Sequence, residues 1–221
     1  MKPALIVCAL AVGLIIDRHF GVWGQVFASL GVWALFLALL ESAQPRERTA
    51  LIACLVYATA GELFLSLVWG LYQYRLENIP PFVPPGHALL FTLGAGIAAR
   101  MKDSVVWIVP VIALPYLLYA AVQGFDTMGV VLFAIFVLCL FAREARKLYA
   151  TMFALSLLLE LYGTWVGNWV WRAQVPWLGL TSTNPPAAAG AFYCVLDLLI
   201  VATVASLHRA IPAAEPDRAP A

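Results

Sequence analysis

The stretch Phe20–Leu40, FGVWGQVFASLGVWALFLALL, runs for 21 residues without a charged side chain. Its apolar residues are continuous rather than alternating with polar ones. Only an α-helix or a closed barrel can satisfy its own backbone in lipid, and a barrel strand would alternate. At roughly 20 residues per crossing, this run is long enough to span a bilayer as a helix.

Similar runs lie on either side of it. Spans are predicted near Pro3–Ile16, Phe20–Leu40, Ala50–Tyr72, His87–Ala99, Val105–Val122, Met128–Ala142, Leu148–Trp171 and Ala187–Leu207. The expected fold is therefore all-α, a polytopic transmembrane helical bundle of about eight helices. The first, fourth and sixth spans are short for a crossing, and either flanking residues extend them or they sit in a thinned or protein-buried region.

Composition agrees with this reading. Of the 221 residues, 63% are hydrophobic and 11% charged, against about 25% charged in soluble domains. A formal net charge of +1 leaves no basic face for nucleic acid. Lys2 followed by Pro3–Ile16 resembles a signal peptide. However, Asp17-Arg18-His19-Phe20 follows instead of a small-residue cleavage site, so it reads as a retained first helix. The four cysteines (Cys8, Cys54, Cys139 and Cys194) are scattered through apolar runs without a C-x-x-C pair and read as small buried hydrophobes.

With the N-terminus in the cytoplasm, the cytoplasmic segments carry Lys2, Arg46, Arg48, Arg100, Lys102, Arg143, Arg146, Lys147, Arg209 and Arg218. The outer loops carry only Arg18, Arg75 and Arg172. That asymmetry follows the positive-inside rule and puts both termini in the cytoplasm, which suggests a bacterial inner membrane. The polar tail 211–221 is rich in Pro and Ala and is expected to be disordered.

The chain also repeats itself. Glu62-Leu63-Phe64 corresponds to Glu160-Leu161-Tyr162. The aromatic stretch Trp69–Arg75 corresponds to Gly167–Arg172. Each leads through a proline-rich outer loop, one at Ile79–His87 and the other from Val175 to Pro186, into another apolar helix. Residues 1–100 and 101–210 then form two four-helix repeats. An even number of helices gives both the same orientation, related by an axis along the membrane normal.

Glu62 and Glu160 fall near mid-membrane in their spans. A carboxylate there is costly unless it is protonated, paired or facing water, so both are catalytic candidates, with Asp197 as a third acid at depth. Burial favours the neutral acid, which suits proton donation, and at least one of the two glutamates is expected to be protonated at neutral pH. Read as continuous helix, Glu62, Ser66, Trp69 and Gln73 form one stripe, and Glu160, Thr164, Gly167, Asn168 and Trp171 another. Such stripes should face a shared interior, though hydrogen-bonded helix packing also accounts for part of them. The candidate substrate-binding residues are Trp69, Tyr72, Tyr74, Arg75, His87, Trp165, Asn168, Trp171, Arg172, Asn184 and Tyr193.

Arg75 and Arg172 also read as snorkelling anchors, and the tryptophans as an aromatic belt. No Lys or Arg lies at the depth of the acids, so no fixed internal salt bridge is expected there. His19 and His87 lack the spacing of a metal site and read as interfacial residues, so no metal or cofactor is expected.

The order of a deep Glu62, then Gly70-x-Tyr72-x-Tyr74, then a proline-rich turn resembles the membrane-embedded carotenoid 1,2-hydratases over Glu62 to Val83. Those enzymes carry an acidic residue ahead of a G-x-Y-x-Y segment and add water to a terminal isoprenoid double bond. The resemblance implies acid catalysis on a lipophilic isoprenoid or lipid, with membrane lipid as the partner. The paired glutamates equally suit a small proton- or cation-coupled transporter, and a non-catalytic membrane assembly partner is the third reading.

Overall fold

The structure, a computed structural model, describes residues 3–142 and 145–209. The tail 211–221, Lys2 and Arg143 lie outside the described residues.

Eight α-helices are present among the described residues. They are α1 (Pro3–His19), α2 (Gly21–Ser42), α3 (Pro45–Glu62), α4 (Val83–Ala98), α5 (Ile108–Gln123), α6 (Thr127–Phe141), α7 (Arg146–Val166) and α8 (Gly190–Arg209). Five helical segments, Gly21–Ser42, Pro45–Val68, Asp103–Gln123, Arg146–Val166 and Gly190–His208, are long and apolar enough to cross a membrane. The chain is thus an integral membrane protein built as an all-α bundle. Its outer faces carry exposed apolar side chains such as Trp23, Leu30, Ile112 and Val122, as lipid contact requires.

Local chemistry sets several helix ends. Gln44 and Glu47 cap α3 reciprocally, and Pro45 occupies its first turn, where the missing N–H costs nothing. Pro84 and Pro85 do the same for α4, which begins at Val83 rather than at His87. At 16 residues, α4 extends only about 24 Å at 1.5 Å per residue. It lies inside the protein, with Ala88 and Leu89 fully buried, so it does not need to match the thickness of the lipid.

Two predicted spans are corrected. The third does not continue as α-helix to Tyr72, nor the seventh to Trp171. After Glu62 the chain widens into a π-helical turn, Leu63–Val68. Gly70 (φ 72°) and Gly167 (φ 89°) then take the left-handed conformation, which favours glycine and stops both helices. Beyond them lie two strands, β1 (Tyr72–Tyr74) and β2 (Trp169–Trp171). They pair antiparallel, with Tyr72 opposite Trp171 and Tyr74 opposite Trp169. The Tyr-Gln-Tyr and Trp-Val-Trp sequences alternate with the period of a strand, so all four rings point to one face. The proposed helical stripes through Gln73 and Trp171 therefore do not exist as such.

Helices α3, α4, α7 and α8 form a central ring, in which α3 and α7 each pack on both α4 and α8. The ribbon β1–β2 closes one end of this ring. On the outside, α1 packs on α2 and lies against α4 and α7, while α6 lies on α7 and α8 and carries α5.

Candidate functional site

The buried rings of the ribbon supply hydrogen-bond donors to the two acids. Glu62 Oε2 accepts from the hydroxyls of Tyr72 (2.8 Å) and Tyr74 (2.7 Å). Glu160 Oε2 accepts from the indole N–H groups of Trp169 (2.8 Å) and Trp171 (3.0 Å). The donors follow Glu62 by ten and twelve residues but Glu160 by nine and eleven. The π-helical turn after Glu62 accounts for the difference, since widening a helix there takes up one extra residue. Gly163 makes room for this arrangement, because a Cβ at that position would collide with the Trp169 ring.

Each acid has one further neighbour from the helix that follows it. His87 on α4 places Nε2 3.6 Å from Glu62 Oε1. Tyr193 on α8 directs its hydroxyl to Glu160 Oε1 at 3.4 Å. The two rings stack on each other, with centroids 4.9 Å apart and planes at 8°. His87 Nδ1 lies 2.9 Å from the Val83 carbonyl oxygen. That oxygen can only accept, so Nδ1 carries a proton and Nε2 is the nitrogen facing Glu62.

The ribbon is anchored from outside. Arg75 donates to the Asp17 carbonyl and pairs with its carboxylate at 3.3 Å. Asn168 donates to Asp17 Oδ2 at 2.7 Å and to the Leu14 carbonyl at 3.0 Å. Asn184 accepts the Trp171 backbone N–H at 2.9 Å. Burial, and then the charge of Glu62, push the Tyr72 and Tyr74 phenols well above their usual range, so both stay O–H donors.

The acids line one interior cavity with two lobes, of about 50 and 70 Å³. Either lobe has room for several waters. Glu62, Tyr72, His87, Glu160 and Tyr193 belong to both lobes, and no Lys or Arg lines either of them.

Of the residues singled out from sequence, Glu62, Glu160, Tyr72, Tyr74, His87, Trp171 and Tyr193 meet at this cavity. Trp169 meets it too, although sequence reasoning left it out; its place in the Trp-Val-Trp alternation was the available signal. Asn168, Asn184 and Arg75 position the ribbon. Arg75 is not a snorkelling anchor, because its guanidinium turns inward to Asp17. Trp69 donates to the Pro176 carbonyl and stacks on Trp177 at the rim. Trp165, 81% exposed, faces outward, and Arg172 is also exposed.

Asp197 is fully buried on α8 but lines neither lobe, and neither of its oxygens has a hydrogen-bond partner among the described residues. Asp126, unremarked in the sequence, caps α6 through Gly129 N and accepts from Ala187 N and the Thr183 hydroxyl, tying down the loop after β2. Among the described residues no three His, Cys, Asp or Glu side chains are grouped to hold a metal.

Fold and site together define an integral membrane helical protein with a paired-carboxylate interior cavity. No family model, no curated protein and no solved structure matches the chain, so its function is argued from the chemistry of the cavity.

Proposed function

We propose that the protein is an enzyme that adds water to a carbon–carbon double bond of a lipophilic isoprenoid by acid catalysis, as the resemblance to carotenoid 1,2-hydratases implies. The observation that carries this reading is the pairing of two carboxylates in an aromatic-walled cavity that lacks any Lys or Arg. The mechanism needs Glu62 in its acid form, with His87 Nε2 as its neighbour 3.6 Å from Oε1. A phenol can donate or accept, so the Tyr72 and Tyr74 hydroxyls adapt to either state of Glu62. Indole N–H groups only donate, so Trp169 and Trp171 favour Glu160 as an acceptor.

Glu62 then delivers the proton to one alkene carbon, and the π bond's electrons form the new C–H bond. The neighbouring carbon becomes a cation, which Glu160 and the surrounding π-faces stabilise. Water attacks that carbon and returns a proton to the Glu62 carboxylate, leaving an alcohol and a reset site. Both termini lie in the cytoplasm, with the ribbon on the outer side of a bacterial inner membrane, supported by the distribution of Lys and Arg.

The test is incubation of the purified protein in lipid nanodiscs with an acyclic carotene, with mass spectrometry of the products. One added water per reacted double bond is expected, and Glu62→Gln should abolish it without loss of fold. Full turnover in both Glu62→Gln and Glu160→Gln would refute acid catalysis. The repeat-related placement of the two acids favours a second reading, proton- or cation-coupled transport. Glutamate-dependent proton flux in liposomes, without hydration, would select it.

A further inference from the structure

The ring of four helices has two equivalent seams, and the described residues cover only one. Through the repeat, α3 corresponds to α7 and α4 to α8, so the α4–α7 seam corresponds to the α3–α8 seam. Helix α1 lies along the α4–α7 seam, and Tyr162 donates to the Ala11 carbonyl across it. The helix in the corresponding position of the second half, α5, packs on α6 instead. The α3–α8 seam therefore faces the lipid directly.

That seam is pinned at one end only. Thr49 meets His208 at 3.0 Å and the Tyr57 hydroxyl meets Thr203 at 2.8 Å. Between Tyr57 and the ribbon, no side-chain hydrogen bond crosses from α3 to α8 among the described residues. The second lobe of the cavity opens in this interval. Its walls there are small or apolar (Ala58, Gly61, Leu65, Ala189, Phe192 and Leu196), and half-buried Gly61 and Leu196 lead in from the surface to Glu62 and Glu160.

We infer that the α3–α8 seam at Gly61 is a lateral portal, through which an uncharged hydrocarbon chain passes from the bilayer core to the carboxylates. The charge pattern selects this occupant. No Lys or Arg lines either lobe to pair with a phosphate or carboxylate head group, and between Tyr57 and the ribbon the described walls of the seam are small or apolar. The portal deepens the enzymatic reading and rests on it for the identity of the chain.

The test uses the full chain in phosphatidylcholine nanodiscs with a headgroup-free long-chain alkyl diazirine, photolysed and mapped by mass spectrometry. The parent protein should be labelled on interior Tyr193 as well as on lipid-facing Leu199. A Cβ at Gly61 meets nothing within 4 Å, so Gly61→Trp can fill the mouth without displacing backbone. Interior labelling should then fall about tenfold, the effect of an overpacking cost on occupancy, with labelling of Leu199 unchanged. Gly31→Leu, an equally open position on α2 away from the cavity, should change nothing. If Gly61→Trp lowers thermal stability, Gly61→Leu serves in its place.

Interior labelling that persists in a folded Gly61 variant, or that never occurs in the parent, overturns the portal. Turnover separates the two claims. A portal that behaves as expected while Glu62→Gln and Glu160→Gln both keep full turnover refutes the acid mechanism alone. Glutamate-dependent turnover that is unaffected by a plugged Gly61 refutes the portal alone.

Discussion

Trp169→Phe removes one indole N–H from Glu160 while keeping an aromatic ring in the ribbon. The lost hydrogen bond spans 2.8 Å and is buried. A hydrogen bond to a charged acceptor contributes about 1.5–3 kcal/mol, and one between neutral partners about 0.5–1.5 kcal/mol. The smaller ring leaves a void that costs about 1 kcal/mol more. The total is about 3 kcal/mol if Glu160 is ionised and about 2 kcal/mol if it is neutral. Glu160→Gln keeps an acceptor oxygen but removes the charge, so a double-mutant cycle of the two substitutions isolates the charge-dependent part. Reversible unfolding of the four proteins in mixed detergent–SDS micelles gives the cycle. A coupling of about 1–2 kcal/mol is expected. Additive effects, with a coupling below about 0.3 kcal/mol, would refute the reasoning that the indoles hold a carboxylate.

Asp17→Ala leaves the largely buried Arg75 guanidinium without its counter-charge and should destabilise by about 3 kcal/mol; in the same unfolding assay a loss under about 0.5 kcal/mol would show the ribbon anchor to be idle. Asp197→Leu replaces a buried acid that has no hydrogen-bond partner among the described residues, so stability should rise by about 1–3 kcal/mol with turnover unchanged; a loss of either would give Asp197 a function it lacks here. Asp103 hydrogen-bonds Arg146 and pairs with Lys147, which hold its carboxyl below the usual value of 3.8. A lowered native pKa gives stability that is present above pH 3.8 and lost as pH falls through the lower native value. An NMR titration should find that midpoint below 3.8 and return it toward 3.8 in the Arg146→Ala, Lys147→Ala double variant.

What the sequence determined by itself is whatever depends on short range or on solvent. Uncharged runs of about 20 residues dictate membrane helices, because lipid offers the backbone no other partner. A carboxyl inside such a run must find donors, which singled out Glu62 and Glu160. Each acid takes its direct partners from its own half of the chain: Tyr72, Tyr74 and His87 for Glu62, and Trp169, Trp171 and Tyr193 for Glu160.

Tertiary structure decided how the halves meet. Tyr-Gln-Tyr and Trp-Val-Trp are too short to be stable strands alone and become a ribbon only by pairing with each other. Extending the helices through them concealed Trp169, and the π-helical turn hid the one-residue offset between the halves. The stack of His87 on Tyr193, the inward turn of Arg75 to Asp17, and the exclusion of Asp197 from the cavity join residues of different helices. Periodicity shows which face of a helix a side chain occupies; which neighbouring helix that face meets is set only when the helices pack.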